Sequence, residues 1–172
     1  IIGTGNISNL PIAGYLQNPD AELYAFCDID EKKLAAMGEK YGVTRLYADY
    51  NEMLRALPEI DAISVCTWNS AHAECTIAAL RAGKNVLCEK PMAMNAKEAA
   101  EMQKAADESG KLLMIGFVRR YGNDCAVIRD FINGGTVGDI YYAKASYLRR
   151  NGCPGGWFGD CSRSGGGPLI DL

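Results

Sequence analysis

Histidine is almost missing from this chain: His72 is the only one. Seven cysteines are present (Cys27, Cys66, Cys75, Cys88, Cys125, Cys153 and Cys161), yet none form a C-x-x-C pair. No apolar run approaches the roughly 20 residues that cross a bilayer, and no signal-peptide pattern opens the chain. Neither sign of charge dominates, since 18 Lys and Arg stand against 21 Asp and Glu for a formal net charge of −3. Each absence excludes something. Cys153 and Cys161 flank a Gly-rich stretch, but no third and fourth ligands stand near them as a zinc site needs, so no metal is expected. An odd cysteine count, with Cys27, Cys66 and Cys88 ending apolar runs, reads as reduced buried thiols of a cytoplasmic protein and not as a disulfide framework. The mild acidity argues against nucleic acid or an anionic membrane as the main partner.

What is present is enough apolar material for a core. Of 172 residues, 48% are hydrophobic and 23% charged, which suits a folded chain of one domain or one and a half. Apolar runs at Leu23 to Cys27, Ala62 to Cys66, Asn85 to Cys88 and Leu112 to Gly116 are nearly continuous, as in parallel strands covered on both faces. Helical patterns separate them. Asp30 caps one with Leu34, Met37 and Tyr41 on a face and Gly42 as its stop. Asp49 with Glu52 opens another, ahead of Met53, Leu54 and Leu57. Ala73, Ile77 and Leu80 form a stripe ending at Gly83, and Asn95 with Glu98 starts a helix bearing Ala99, Met102 and Ala106 before Gly110. Strand and helix in alternation predict right-handed βαβ units in an α/β, doubly wound parallel sheet of Rossmann type.

The pattern changes near residue 118. Asn123 to Asn133 predicts a helix with Val127 and Phe131 on one face. Ile140 to Leu148 alternates like a half-exposed, usually antiparallel strand, and residues 151 to 167 read as a Gly-rich loop. The expected division is a dinucleotide-binding domain over 1–118 and the beginning of a second α/β domain over 119–172. Both ends read as cut: Ile1-Ile2 as the close of a strand, Asp171-Leu172 as a stop without punctuation.

Four motifs carry chemistry. Gly3-Thr4-Gly5-Asn6-Ile7-Ser8 follows the strand remnant and opens a helical stretch. The first glycine permits a tight turn, the second admits a pyrophosphate to the backbone, and the helix start supplies N–H donors; Ser8 replaces the third glycine. Asp28 ends the next strand roughly 20 residues on, where a carboxylate meets the ribose hydroxyls, favouring NAD and repelling the extra phosphate of NADP. In Cys66-Thr67-Trp68-Asn69-Ser70-Ala71-His72, Thr67 and Asn69 are polar at a strand's carboxyl end, where ligands of such sheets lie. His72 reads as a helix-start histidine near the crevice. In Cys88-Glu89-Lys90-Pro91, the charged pair follows a buried run and Pro91 restricts Lys90 to an extended backbone. A lysine beside an oxidised nicotinamide has its pKa lowered by the like charge and can exchange the proton of a substrate hydroxyl. The fourth motif, Ser164-Gly165-Gly166-Gly167-Pro168-Leu169-Ile170-Asp171, lets backbone approach a ligand closely.

In this order the residues resemble the Gfo/Idh/MocA family (glucose–fructose oxidoreductase, inositol dehydrogenase, rhizopine catabolism). The likeness rests on Gly3-Thr4-Gly5, Cys27-Asp28, Thr67 with Asn69 and His72, Glu89-Lys90-Pro91, Gly116-Phe117 with Arg119-Arg120, and Gly165-Gly166-Gly167 with Asp171. It implies a Rossmann domain followed by an α/β domain with an open mixed sheet, and a homodimer or homotetramer. It also implies a carbohydrate-like substrate, with Lys90 and Asp171 as catalytic residues, Asp171 paired with a histidine four residues further on. Gly3, Thr4, Gly5, Asn6, Ile7, Asp28, Thr67, Asn69, His72, Glu89, Lys90 and Arg120 are expected to bind NAD, NADP being less favoured. A cis Lys90–Pro91 bond is implied as well. Trp68 departs from the family, which usually has proline there. The expected activity is hydride transfer between a sugar or polyol and nicotinamide. An NAD-dependent glycosidase and a non-catalytic dinucleotide-binding regulator are the alternatives.

Overall fold

The computed structural model describes residues 1–148, 150 and 155–171, with backbone alone for Pro168 and Asp171. Cys153 lies outside the described residues. The chain divides into two compact units, Ile1–Gly116 together with Gly156–Leu172, and Phe117–Gly155.

In the first unit, five strands run parallel: β1 (Phe26–Cys27), β2 (Leu46–Tyr47), β3 (Ala62–Val65), β4 (Asn85–Glu89) and β5 (Leu113–Gly116). Ile2 joins the two groups of strands, bridging in parallel to Cys27 on one side and Val65 on the other. Its N–H donates to the Ser64 carbonyl at 2.8 Å and its carbonyl accepts from Cys66 at 2.7 Å. The lateral order is therefore β2, β1, Ile2, β3, β4, β5. The chain winds outward one way and then the other, which creates a switch point beside Ile2. β2 had no signature in the sequence, being two half-buried residues long.

The helices are α1 (Asn9–Gln17), α2 (Glu31–Tyr41), α3 (Tyr50–Ala56), α4 (Asn69–Arg81) and α5 (Ala96–Ser109). Successive residues of β1 point to opposite faces. Phe26 packs with Ile12 of α1 and Leu34 of α2. Ala25 and Cys27 join the larger cluster with Met53 of α3, Leu80 of α4 and Met102 of α5. Both faces are thus covered, which is why the strands read as unbroken apolar runs. The caps follow the sequence. The Asp30 and Asp49 side chains accept from the first turns of α2 and α3. Asn95 Oδ1 accepts from the Glu98 N–H at 3.0 Å while its amide donates to Glu98 Oε1 at 2.8 Å. Gly42 and Gly110 end α2 and α5 in the left-handed region, the conformation in which glycine replaces other residues at little cost.

After α6 (Asn123–Asn133), which belongs to the second unit, residues 156–171 hold a 3-10 turn (Gly156–Gly159) and two short helices, α7 (Cys161–Ser164) and α8 (Pro168–Asp171). By its contacts this stretch groups with the first unit.

The second unit contains a 3-10 turn (Val118–Tyr121) and helix α6 (Asn123–Asn133), over the span that the sequence predicted. The strand expected at Ile140 to Leu148 does not form. These residues enter no ladder, and Tyr141 and Leu148 are 98% and 94% exposed. Alternation prepares a strand, but an isolated strand leaves its backbone groups unpaired, and among the described residues none runs beside this one. No helix among the described residues is long and apolar enough to cross a membrane.

Candidate active site

The carboxyl ends of Ile2, β1, β3 and β4 lie along one edge of the sheet, and three of the four motifs leave from it. Gly3 turns the chain at φ +89°, and a Cβ placed there would lie 2.6 Å from the Cys66 carbonyl oxygen. Only glycine fits. Gly5 has an ordinary φ of −70°, and a Cβ on it would meet nothing within 4 Å. The space over Gly5 is open, as close approach of a pyrophosphate requires. A 3-10 turn (Asn6–Ser8) then leads into α1, and no side chain caps either start. The first N–H groups remain available to an anion. Ser8, in place of the third glycine, is buried and donates its hydroxyl to the Gly5 carbonyl at 2.7 Å. The substitution is absorbed by a local bond, and the helix still packs on the sheet.

Asp28 is fixed by three donors. Its Oδ2 accepts from the Thr4 N–H at 2.7 Å and the Thr4 hydroxyl at 2.9 Å, and its Oδ1 from the Asp30 N–H at 2.9 Å. The carboxylate is thereby held against the glycine turn, with lone pairs left for diol hydroxyls. Glycine turn, uncapped helix start and oriented carboxylate together fit an adenine dinucleotide.

On the other side of the switch point, His72 and Asn69 lie buried in the first turn of α4. His72 Nδ1 is 2.7 Å from the Pro91 carbonyl and Nε2 is 3.2 Å from the Thr67 carbonyl. Burial lowers the His72 pKa, and the positive charge of Lys90 lowers it further, against the two carbonyls. The Asn69 amide donates to the Ser164 carbonyl at 2.8 Å, and the Arg163 guanidinium stacks 4.2 Å from the Trp68 ring centroid. The Thr67 hydroxyl turns to the Trp68 carbonyl at 3.2 Å. Lys90–Pro91 is cis. Glu89 is half-buried, its pKa raised by burial, and its Oε2 accepts from the Lys90 N–H at 3.3 Å.

The structure brings together Gly3, Thr4, Gly5 and Asp28, and brings Thr67, His72 and Pro91 together beside Lys90. Arg119 and Arg120 lie exposed on the 3-10 turn of the second unit. The Asp171 backbone ends α8; its side chain lies outside the described residues. Sequence reading missed the Thr4–Asp28 link and the docking of Arg163 and Ser164 on Trp68 and Asn69. No local pattern announces a contact such as Asn69–Ser164, which is 95 residues apart in the chain.

Residues 1–117 match the oxidoreductase family with an NAD-binding Rossmann fold, Gfo/Idh/MocA. The chain belongs to this family. It is 41% identical, over 100% of its length and 49% of the relative's, to D-glucoside 3-dehydrogenase of Escherichia coli K12. It is 33% identical, over 80% of its length and 41% of the relative's, to myo-inositol 2-dehydrogenase of Thermotoga maritima. A similar solved structure is the WlbA dehydrogenase of Bordetella pertussis in complex with NADH and UDP-GlcNAcA. Its TM-score is 0.77 at 32% identity, covering 81% of this chain and 40% of that one. The chain thus spans about half the length of the curated relatives that it matches.

Proposed function

We propose that this chain carries the NAD-binding part of a dehydrogenase that oxidises a hydroxyl group of a sugar, sugar derivative or polyol. One observation carries the reading. The open glycine turn, the oriented Asp28 and the Glu89-Lys90-Pro91 turn all leave the same edge of one parallel sheet. The relatives that act on glucosides and inositol give the substrate class. By family resemblance the whole protein is a homodimer or homotetramer, and its buried, free cysteines fit a cytoplasmic setting.

Gly3, Thr4, Gly5, Asn6 and Ile7 cradle the pyrophosphate. Asp28 accepts the ribose hydroxyls and repels the extra phosphate of NADP. Thr67 and Asn69 form the wall at the end of β3, with His72 buried behind them, and Glu89 and Lys90 form that at the end of β4. Bound NAD supplies the acceptor for the hydride that leaves the carbinol carbon. The Lys90 amine takes the proton of the substrate hydroxyl as that hydride leaves, and Asp171 acts with it.

Lys90→Ala is expected to cut turnover by roughly 10²- to 10⁴-fold while NAD affinity stays near wild type. The check is NADH absorbance with D-glucosides and inositols as donors, alongside a fluorescence titration of NAD. A variant turning over at the wild-type rate would remove Lys90 from the mechanism. Asp28→Ala should weaken NAD binding by roughly tenfold, about 1.4 kcal/mol. Unchanged NAD affinity with NADP still excluded would overturn the ribose assignment.

A further inference from the structure

We infer that His72 is a positioning residue that sets the place of Lys90 by holding two loops at the sheet edge, instead of contacting the cofactor. The inference rests on the reading of Lys90 as the proton-handling group.

His72 is 1% exposed, so its ring has almost no surface left for a ligand. Both ring nitrogens face backbone carbonyls, Pro91 at 2.7 Å and Thr67 at 3.2 Å. Those carbonyls belong to the chain leaving β4 and the chain leaving β3, two strands paired in parallel over Ala62↔Asn85 to Val65↔Cys88. The ring therefore spans neighbouring loops just past the point where their ladder stops. A residue that only filled volume would need no polar ends. Here two polar ends on a rigid ring meet two acceptors, and one acceptor belongs to the residue directly after Lys90. Pro91 is itself buried, so holding its carbonyl fixes where the Lys90 backbone emerges. A neutral imidazole donates to one carbonyl and the imidazolium to both. The imidazolium ties both loops to α4 by hydrogen bonds; the neutral ring donates across the shorter contact, to the Pro91 carbonyl next to Lys90, and meets the Thr67 carbonyl by packing alone. The same helix turn is tied to a third segment by the Asn69–Ser164 bond.

The test uses the full-length protein with a D-glucoside or myo-inositol as donor. His72→Gln should lower kcat by roughly tenfold to a hundredfold, the cost of a small misplacement at a reacting group. NAD affinity by fluorescence should stay within about threefold. Combined with Lys90→Ala, His72→Gln should lower the residual rate little further, because residues acting as a unit are not additive. After reductive methylation with 13C-formaldehyde, the Lys90 methyl resonance, assigned by its loss in Lys90→Ala, should shift in His72→Gln. If His72→Gln does not fold, His72→Asn carries the same measurements. Wild-type kcat with an unmoved Lys90 resonance would overturn the inference. So would a fall in NAD affinity matching the fall in rate, or an equal loss on the Lys90→Ala background. A Lys90→Ala protein at the wild-type rate defeats the reading of Lys90 itself, and the inference with it.

Discussion

Gly3 and Gly5 stand two residues apart and answer differently to one added methyl group. At Gly3 the Cβ would be driven into the Cys66 carbonyl at 2.6 Å, on a backbone at φ +89°. Gly3→Ala should therefore cost about 3 kcal/mol or more of stability in urea denaturation. At Gly5 the same group meets only open space. Gly5→Ala should melt like wild type yet bind NAD at least roughly tenfold more weakly, the methyl occupying the pyrophosphate's approach. A Gly5→Ala protein with native affinity would show that the turn does not meet the ligand. Both glycines were legible in the sequence, because turn chemistry is local. The partners of Asp28 were not. That Thr4 supplies two of its three donors depends on β1 lying beside Ile2, which spacing alone does not convey.

At the scale of elements, α5 has a doubly bonded cap at its start. Asn95 and Glu98 bond reciprocally, and Glu98 Oε2 accepts the Met94 N–H at 3.1 Å as well. Asn95→Ala should cost about 1 kcal/mol, and Met102→Ala, deleting a fully buried side chain of the same helix, about 2–5 kcal/mol. Chemical denaturation measures both, and a Met102→Ala loss no larger than the cap's would place Met102 outside the core. Elements with local signals, such as capped helices, Gly stops and apolar strands, could be read directly. Those that depend on a neighbour could not. β2 exists because β1 lies alongside it, and Ile140 to Leu148 remains without a ladder despite its alternation.

At the scale of the whole molecule, pH and thiol chemistry report on folding. Burial lowers the His72 pKa from 6.5. The unfolded chain therefore binds more protons below that value, so this contribution is full above pH 6.5 and is lost as pH falls towards the folded value. Glu89, raised from 4.5 by burial, acts oppositely: its contribution is full below pH 4.5 and is lost as pH rises through its folded value. Subtracting the stability profile of His72→Gln from that of wild type isolates the first effect, which should vanish in the variant. Burial also pushes the Cys27, Cys66 and Cys88 thiols up to about 12, and that of Cys75 upward as well. At pH 8 iodoacetamide should spare these four in the native protein and label Cys161, which is exposed. Rapid native labelling of the four, read by mass spectrometry, would contradict their burial.

The return of residues 156–171 to the first unit makes Phe117–Gly155 an interruption within it, so the first unit is discontinuous along the chain. A protease cutting once inside the interruption would sever the chain without severing that unit. The Asn69–Ser164 bond and the Arg163–Trp68 stack would keep the carboxyl-terminal piece docked. The nicked protein should elute from a sizing column as one species and separate into two only in denaturant.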